Sequence, residues 1–500
     1  MVTALRRFAD AVSGDLVAFA HSVSPPPPPT PGLHTWKLHS GQDRKRIHLR
    51  VEPDGAGVLF VDVTDVIQLN PSAARVVHHL LEGGQAASAK VILRQGDPGV
   101  SRGELSARVR ELTALVAQVT TMEPGCPTCG LEFLDRKPLF STRAKAPYKA
   151  DLAMTYGCNN ACNHCYNETE RLPMPSMPPD DWRRVIDRLA GLGVPHMIFT
   201  GGEATLHPDL PALVAHANGH GMICGLNSNG RRLAHAPYLA ELVDAGLDHV
   251  QITLSSHVGA LHDAINGTKA FDQTIRGIRA AVQSALHTIT NTTINARNKD
   301  DIERTIDFIA ELGVRTFAMN GMIYSGGGFA DPDAIPEQEM IPILERIRDH
   351  ANAKDMRFLW YTPTEYCRLS PVELEIGAKR CNAGEYSIAI EPNGDVLPCQ
   401  SFYVSAGNIL TDPWEQIWHG HLFRSFRERE EDPAKWGLPE KCHHCPDLPL
   451  CGGGCRIERD ARDGVRTATD STTAATAGFS PSRAMVEPRN GRPSLRVLGS

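Results

Sequence analysis

The chain has 500 residues, of which 41% are hydrophobic and 22% are charged, and its formal net charge is -7. This composition is typical of a soluble globular protein, and at about 150 residues per domain the length predicts two to four domains. The acidic balance argues against broad binding to nucleic acid or an anionic membrane, and no run approaches the roughly 18 apolar residues of a membrane-spanning helix.

Residues 1–33 are expected to form an amphipathic helix followed by a stiff linker. Leu5, Phe8, Val12 and Leu16 recur at helical spacing, which favours a helix packed on its own protein over a membrane anchor. Residues 25–29 are all proline, and such a run is stiff and extended. Polar residues interrupt the apolar stretch near the N-terminus, so no secretory signal is evident and we expect a cytoplasmic protein.

Residues 34–122 are expected to form a small domain of short strands and helices. Apolar runs at 58–63 and 65–70 indicate two strands, and Asn70 or Ser72 can cap a helix that ends at Gly83. Leu105, Val109, Leu112 and Val116 define one face of a helix over 103–119. Strands and helices in about 85 residues favour a winged-helix-like fold, and the absence of a basic cluster disfavours DNA binding.

A linker at 123–147 separates this domain from the next and contains the pair Cys126 and Cys129. The pair could bind a metal with distant partners or act in redox exchange. It could equally be incidental, and the sequence does not decide between these alternatives.

Between residues 148 and 365, strand-like runs alternate with amphipathic helical runs. Strands are indicated at 150–156, 196–200, 222–228, 248–254, 288–295, 315–320 and 357–361. Such alternation predicts an α/β fold with a parallel sheet covered by helices. Six or seven strands are too few for a closed eight-stranded barrel, so we expect a partial (β/α)6 barrel. Functional residues then belong at the carboxyl ends of the strands.

The region 366–461 is irregular and rich in cysteine, and the tail 462–500 is rich in Thr, Ala and Ser, which predicts disorder. The chain has 13 cysteines. An odd number without a secretory signal favours metal ligands over a disulfide scaffold. Cys224 and Cys367 stand alone. Cys224 lies in a predicted strand and is expected to be a small buried apolar residue.

The first cysteine set, Cys158, Cys162 and Cys165, follows the first barrel strand directly. Three thiolates within eight residues can surround one compact metal centre. A zinc site would need a fourth ligand, for which His164 is the candidate. The spacing, followed by the aromatic Tyr166, resembles the radical S-adenosylmethionine (SAM) superfamily. The resemblance implies a 4Fe-4S cluster that leaves one iron open for SAM.

Segments at the next three strand ends extend this resemblance over about residues 148–360. Thr200 precedes a Gly-Gly-Glu segment that resembles the family motif contacting the SAM amino group, and the polar segments after it resemble those that line the rest of the cofactor pocket. The implied cofactor-binding residues are Tyr166, Gly201, Gly202, Glu203, Asn227, Ser228, Asn229, Thr253 and Ser255. The resemblance implies reductive cleavage of SAM and hydrogen abstraction by a 5′-deoxyadenosyl radical, with Cys158, Cys162 and Cys165 as the catalytic cluster ligands.

The later cysteines resemble the SPASM extension of radical SAM enzymes, which carries auxiliary iron–sulfur clusters; a zinc ribbon is the alternative. The implied ligands are Cys381, Cys399 and Cys455 for a first auxiliary cluster and Cys442, Cys445 and Cys451 for a second. A turn at Asn393-Gly394 is expected to bring Cys381 and Cys399 together. The family has a seventh cysteine, and none follows Cys455 here. One or two auxiliary clusters are therefore implied, and Asp460, Asp463, a non-protein ligand or an open iron could complete the second.

The segment 59–83 resembles the peptide-recognition domain of ribosomal peptide maturation. In that family a leader peptide adds as a strand to the edge of the sheet. The resemblances together imply a peptide-modifying radical SAM oxidoreductase that forms a thioether or carbon–carbon cross-link. Its expected partners are a precursor peptide and a reductase, ferredoxin or flavodoxin, with neither nucleic acid nor membrane. The alternatives are maturation of an enzyme or cofactor precursor, action on a small molecule, or a non-catalytic peptide chaperone.

Overall fold

The computed structural model describes residues 26–40, 43–61, 65–121, 140 and 143–464. The expected N-terminal helix, the pair Cys126 and Cys129, and the C-terminal tail beyond residue 464 lie outside these residues. The chain divides into two compact units, Met1–Pro138 with Leu189–Pro195, and Leu139–Arg188 with His196–Ser500. None of the described helices is long and apolar enough to cross a membrane.

The first unit is a four-stranded antiparallel sheet followed by three helices. The strands lie in chain order, β1 (Gly32–Ser40), β2 (Asp43–Val51), β3 (Gly57–Val61) and β4 (Asp65–Leu69), and the helices are α1 (Pro71–Leu81), α2 (Ala86–Gly96) and α3 (Arg102–Thr120). The Asn70 side chain caps α1 by accepting a hydrogen bond from the Ala73 N–H at 2.8 Å, as the sequence predicted. The sheet and helices bury one shared apolar core.

This unit has more elements than the sequence indicated. Strands β1 and β2 and helix α2 were not predicted. On β2, Ile47 and Leu49 point into the core, and the alternate residues Arg46, His48 and Arg50 are buried as well. Basic residues at alternate positions interrupt the apolar run from which a buried strand is predicted. The sequence of β2 therefore resembles that of a surface segment.

The second unit contains the predicted alternation of strands and helices. Its parallel strands are β5 (Lys149–Thr155), β6 (His196–Gly201), β7 (Ile223–Ser228), β8 (His249–Thr253), β9 (His287–Thr293), β10 (Thr316–Asn320) and β11 (Arg357–Trp360). Its barrel helices are α4 (Pro179–Gly191), α5 (Leu210–Gly219), α6 (Ala236–Asp244), α7 (Gly259–Asn266), α8 (Phe271–Val282), α9 (Ile302–Glu311) and α10 (Glu337–Ala353). The sheet is open, which confirms the partial barrel, with seven parallel strands rather than six.

The cysteine-rich region extends the barrel sheet. Strand β12 (Ser387–Ile390) pairs parallel with β5, and β13 (Val396–Leu397) returns antiparallel through the predicted turn, where Gly394 has a φ of 89°. The remaining helices are α11 (Trp414–Trp418), α12 (His421–Arg427), α13 (Leu448–Cys451) and α14 (Arg456–Arg462). The auxiliary region therefore shares one sheet with the barrel, a continuity that the sequence did not indicate.

Candidate functional site

Polar residues line one face of the barrel sheet near the carboxyl ends of its strands. Asn227 pairs with Gln251 and Thr253 pairs with Asn291, so these side chains share a face. Asn291 donates a hydrogen bond to the Asn320 side chain at 2.9 Å, and its own Oδ1 atom is buried without a hydrogen-bond partner among the described residues. An open acceptor on a polar, half-buried face suits a polar ligand.

Outer-face residues of the same strands are apolar and fully buried beneath the helices. They include Leu152, Phe199, Leu226 and Ile252. The two faces alternate along each strand, so the sequence that packs the helices also determines which side chains face the cleft.

The loop after β5 carries Cys158, Cys162 and Cys165 to the carboxyl end of the sheet. Among the described residues, the only group of three whose ligand atoms all lie within 4.8 Å is Asp187 with His216 and His220, at the surface. The three cysteine sulfurs are therefore spaced more widely than the roughly 4 Å that separates thiolates around one tetrahedral zinc ion. Such spacing fits a cluster of several irons better than a zinc knuckle.

This cysteine loop is fixed by the end of α7. The Cys162 thiol donates a hydrogen bond to Asn266 Oδ1 at 3.3 Å, and the Ala161 N–H donates to the Asn266 carbonyl at 3.0 Å. A Cβ on Gly267, whose φ is +61°, would lie 2.1 Å from the Ala161 carbonyl oxygen. Asn266 and Gly267 are thus part of the site, and sequence analysis missed them because their helix-end signal is common.

The Gly-Gly-Glu segment lies directly against the cysteine loop. A Cβ on Gly201, whose φ is +135°, would lie 2.2 Å from the Thr155 carbonyl oxygen, and one on Gly202 would lie 2.4 Å from that of Gly157. The Gly202 N–H donates to Thr155 O at 2.7 Å. Only glycine permits this backbone approach, because a side chain at either position would collide with the main chain at the end of β5 and the start of the cysteine loop.

Glu203 accepts a set of hydrogen bonds from within the protein. Its side chain is buried and accepts hydrogen bonds from the Thr205 hydroxyl at 2.6 Å, the Ser228 hydroxyl at 2.8 Å and the Asn229 N–H at 2.7 Å. These bonds join the ends of β6 and β7. The implied contact between Glu203 and the SAM amino group stays a prediction, and the described bonds assign the carboxylate a positioning role.

Ser255 is also an internal support. It is buried, and its Oγ accepts a hydrogen bond from Asn266 Nδ2 at 3.1 Å. Because Asn266 in turn accepts the Cys162 thiol, a chain of three side chains links the end of β8 to the cysteine loop. Thr253 and Asn227 are half-buried on the cleft face, and their contact with the cofactor stays a prediction.

Asn229 links the end of β7 to the cysteine loop. It donates to the Asn159 side chain at 2.6 Å, and Arg231 donates to the Asn159 carbonyl and to Asn160 Oδ1 at 3.0 Å. The loop is therefore held from the β7 side and from the α7 side by neutral amide groups and one arginine.

Three consecutive glycines cover the other side of the loop, which the sequence analysis also missed. Gly327 donates its N–H to the Cys165 carbonyl at 2.7 Å. A Cβ on Gly326 would lie 2.5 Å from the Asn167 carbonyl oxygen, and one on Gly327 would lie 2.4 Å from that of Asn163. The run Gly326–Gly328 after β10 was the available signal, since glycine runs beside a ligand loop often permit close backbone approach.

Tyr166 connects the cysteine loop to the auxiliary region. Burial raises the pKa of Tyr166, as does a charge on Cys165 or Cys399, while a hydrogen bond with Thr200 opposes that rise. The Tyr403 hydroxyl donates to Asn167 Oδ1 at 3.0 Å. The first auxiliary cysteines therefore lie close to the end of the SAM-cluster loop.

Cys381, Cys399 and Cys455 come together as implied. They pack against one apolar cluster that includes Phe402 and Phe426. Burial raises the pKa of the Cys399 thiol to about 12, and a charge on Cys381 adds to the rise. These thiols must lose their protons to bind a metal centre, whose positive charge offsets that of the thiolates.

Cys442, Cys445 and Cys451 form the second group. Cys442 packs with Leu438 and Leu448, and Cys445 lies against the same cluster. Three glycines follow Cys451, with φ between 64° and 76°, and the N–H groups of Gly453 and Gly454 donate to the Cys451 sulfur. Consecutive left-handed residues that aim N–H groups at one centre form a concave anion site typical of iron–sulfur proteins.

Comparison with known proteins identifies the class. Residues 152–309 match the radical SAM superfamily and residues 381–446 match the SPASM iron–sulfur cluster-binding domain. The chain therefore contains a radical SAM domain followed by a SPASM domain, and its cofactors are SAM and 4Fe-4S clusters. The cysteine spacing and the glycine-lined loop fit these groups.

Two named relatives refine the comparison. A PqqA peptide cyclase of Streptomyces rochei is 28% identical over 351 residues, which cover 68% of this chain and 92% of the relative. An AdoMet-dependent heme synthase of Methanosarcina barkeri is 27% identical over 337 residues, which cover 64% of this chain and 94% of the relative.

The solved structure of Streptococcus suis SuiB superposes with a TM-score of 0.60 at 16% identity and covers 82% of this chain and 95% of SuiB. SuiB bound to the precursor peptide SuiA gives a TM-score of 0.59 and covers 85% of this chain. At this identity the likeness concerns the fold, and it extends beyond the radical SAM and SPASM matches.

Proposed function

We propose that this chain is a radical SAM enzyme that modifies a ribosomally made precursor peptide. The observation that carries the proposal is the presence, in one chain, of a SAM-cluster loop, an auxiliary cysteine region and an N-terminal sheet with an open edge. The relatives named PqqA peptide cyclase support a peptide substrate. A thioether or carbon–carbon cross-link is the reaction class.

The open edge of β4 is the proposed docking site for the leader peptide. Strand β3 lies between β2 and β4, so of the two strands predicted over residues 58–70 only β4 is an edge strand among the described residues. Val66 on this strand is 43% exposed, whereas Ile67 is buried. A free edge offers backbone hydrogen bonds to an added strand, and exposed side chains give it specificity.

Docking of the leader would raise the concentration of the attached core peptide at the cleft. The SAM-loaded cluster supplies hydrogen abstraction from an unactivated C–H bond. The chain's own residues position the reactants: the glycines at 201 and 202 admit the ligand, Asn266 orients Cys162, and the amides on β9 and β10 offer hydrogen bonds to a polar substrate.

A cytoplasmic location and a reductase, ferredoxin or flavodoxin as electron donor complete the proposal. The reducing cytoplasm keeps nine cluster cysteines as thiols before iron is loaded. Neither nucleic acid nor membrane is proposed as a partner, since the net charge of -7 favours neither.

The first experiment measures SAM cleavage by the anaerobically reconstituted, chemically reduced holoenzyme. Cys158→Ala, Cys162→Ala and Cys165→Ala are each expected to abolish release of 5′-deoxyadenosine. Cys224→Ala is the matched control, because Cys224 is buried on β7 within hydrogen-bond reach of the Val214 carbonyl. Release of 5′-deoxyadenosine by any of the three loop variants would contradict the assignment of the catalytic cluster.

The second experiment measures binding of synthetic peptides encoded by short reading frames beside this gene, using fluorescence anisotropy. Val66→Asp is expected to weaken binding about 10-fold or more, because a charge at the edge opposes strand addition. Val372→Asp is the control, since Val372 is 47% exposed in the other unit. Deletion of residues 1–120 is expected to abolish binding.

Equal binding by the Val66→Asp variant and the wild-type chain would contradict docking at β4. If no peptide binds and a small molecule instead raises SAM turnover, the alternative of small-molecule modification replaces the peptide proposal.

A further inference from the structure

The second auxiliary group has three cysteines, although a 4Fe-4S cluster has four irons and each normally takes one protein ligand. Cys442, Cys445 and Cys451 supply three thiolates, and no cysteine follows Cys455 in the sequence. The missing ligand must come from elsewhere in the chain, from a non-protein group, or not at all.

The loop after β11 brings a further cysteine to this group. The Tyr366 N–H donates a hydrogen bond to the Cys451 sulfur at 3.4 Å, which places the neighbouring Cys367 at the same site. Cys367 is exposed and therefore available to a metal centre.

Lys441 connects Cys367 to the other side of the group. Its ammonium nitrogen lies 3.5 Å from the Cys367 sulfur and 3.1 Å from Glu365 Oε2, and it immediately precedes Cys442. Cys367 is thus linked to Cys451 through its neighbour Tyr366 and to Cys442 through Lys441. The Lys441 ammonium group places a positive charge beside the Cys367 sulfur.

The aspartates that the sequence offered as ligands are engaged elsewhere. Asp463 pairs with Arg462 at 3.1 Å, and Asp460 lies 3.8 Å from Arg456 and 3.7 Å from Arg459. Asp447, whose carbonyl accepts the Cys451 N–H at 2.8 Å, is a further oxygen donor near the group, and the Glu365 carboxylate is paired with Lys441 at 3.1 Å and Arg462 at 3.1 Å. Iron in a sulfide cluster favours a soft thiolate over a carboxylate, so Cys367 is the better donor.

We propose that Cys367 is the fourth protein ligand of the cluster held by Cys442, Cys445 and Cys451. The inference rests on the iron–sulfur assignment of the SPASM domain and does not depend on the peptide substrate. Cys367 then fills the coordination position of the iron for which the sequence offered no cysteine. This cluster then has no site for a substrate thiolate, and electron transfer is its remaining role.

The direct test compares alkylation of cysteines in the reconstituted full chain and in the same chain after cluster removal, with each site quantified by mass spectrometry. Cys367 is expected to react readily in the cluster-free chain and at least about 10-fold more slowly in the reconstituted chain, together with Cys442, Cys445 and Cys451. Cys224 is buried and should stay unreactive in both. If the other three become protected while Cys367 reacts equally in both states, the proposal is wrong.

A second test uses Mössbauer and EPR spectra of ⁵⁷Fe-reconstituted protein in a Cys158→Ala/Cys162→Ala/Cys165→Ala background, which removes the signals of the SAM cluster. Cys367→Ala is expected to lose one iron of four from one cluster and to show the EPR signal of an oxidised three-iron cluster. Cys367→Ser, which keeps an oxygen donor, should retain the iron with an altered spectrum. Asp447→Ala should match the parent.

Loss of iron from the Asp447→Ala chain but not from the Cys367→Ala chain would transfer the ligand role to Asp447 and overturn the proposal. Unchanged spectra in both variants would also overturn it, because the fourth ligand would then be another group. Peptide modification is measured separately, so its failure with a protected Cys367 would contradict the proposed function alone.

Discussion

The SAM-cluster loop is held by backbone contacts and neutral amides, whereas the auxiliary cysteines lie among buried arginines and glutamates. Asn266 and Asn229 support the first loop. Around Cys381, in contrast, Arg429 donates to the Cys381 carbonyl at 2.8 Å, and Arg380 pairs with the fully buried Glu385 at 3.1 Å.

This difference follows the charge and coordination expected at each place. A cluster with four thiolate ligands is a buried anion, and nearby guanidinium groups offset the cost of burying it. The loop after β5 must instead leave one iron accessible to SAM. The contacts that support this loop therefore fix its shape more than they balance the charge of the cluster. Backbone contacts through glycine provide that shape without filling the cleft.

The largest expected effect is on the charged side of the comparison. Arg380→Ala removes the shortest ion pair of Glu385, whose side chain is 0% exposed, and leaves this buried carboxylate only the longer contacts with Arg429 at 3.6 Å and Arg143 at 3.7 Å. Breaking a buried pair costs about 3–5 kcal/mol. Chemical denaturation of the reconstituted chain should show this loss.

The control is Arg424→Ala, which breaks a surface (i, i+4) pair with Glu428 and should leave the free energy of unfolding nearly unchanged. Similar losses for the two arginines would show that the auxiliary region does not depend on buried charge.

The next prediction concerns the backbone approach at the SAM-cluster loop. Gly201→Ala places a Cβ 2.2 Å from Thr155 O at a φ of +135° and must displace the loop. A shift of about 1 Å can lower a rate about 100-fold, so SAM cleavage should fall by that order. Gly219→Ala, at an open position of α5, should leave cleavage unchanged. Normal cleavage by the Gly201 variant would mean that the strand end is not packed as tightly as described.

How far the sequence could predict this site depends on the kind of signal. The cysteine spacings and the Gly-Gly-Glu segment are strong local patterns, and the barrel strands alternate clearly enough to be located. Glu203 shows what a motif leaves out, because the three hydrogen bonds that its carboxylate accepts within the protein are visible only in the fold.

Asn266, Gly326 and Cys367 could not be found from local pattern. Asn266 and Gly326 lie far from Cys162 and Cys165 in sequence, and only the packing of α7 and of the segment after β10 brings them to the loop. Cys367 stood alone in the sequence because its partners follow more than 70 residues later. Contacts of this kind depend on tertiary packing, which no short window contains.

Asn266→Ala tests whether a neutral amide side chain supports the SAM-cluster loop. The substitution removes the side chain that lies 3.3 Å from the Cys162 sulfur and donates to Ser255, while the backbone of α7 remains. Residues that orient metal ligands are worth about 10-fold to 100-fold in metal affinity, and we expect the lower end because the backbone contacts persist. Iron loss to a chelator, followed in the SAM-cluster EPR signal, measures the effect. Asn352→Ala, on the exposed face of α10, is the control. Equal iron retention by the two variants would assign the whole support to the backbone.

The smallest expected effect lies where the two regions meet. Tyr403 lies in the auxiliary region beneath the Arg171 guanidinium, 4.3 Å from its ring centre, and its hydroxyl reaches Asn167 after the first cysteine set. Tyr403→Phe removes that hydrogen bond and keeps the ring, so stability should fall by only about 1 kcal/mol. Tyr238→Phe removes a bond to the Thr205 carbonyl within the barrel and should cost a similar amount. If the regions are coupled through Tyr403, only the Tyr403 variant alters the reduction potential of the SAM cluster. Equal reduction potentials in the two variants would mean that the auxiliary region, although it shares a sheet with the barrel, does not influence the potential of the SAM cluster through Tyr403.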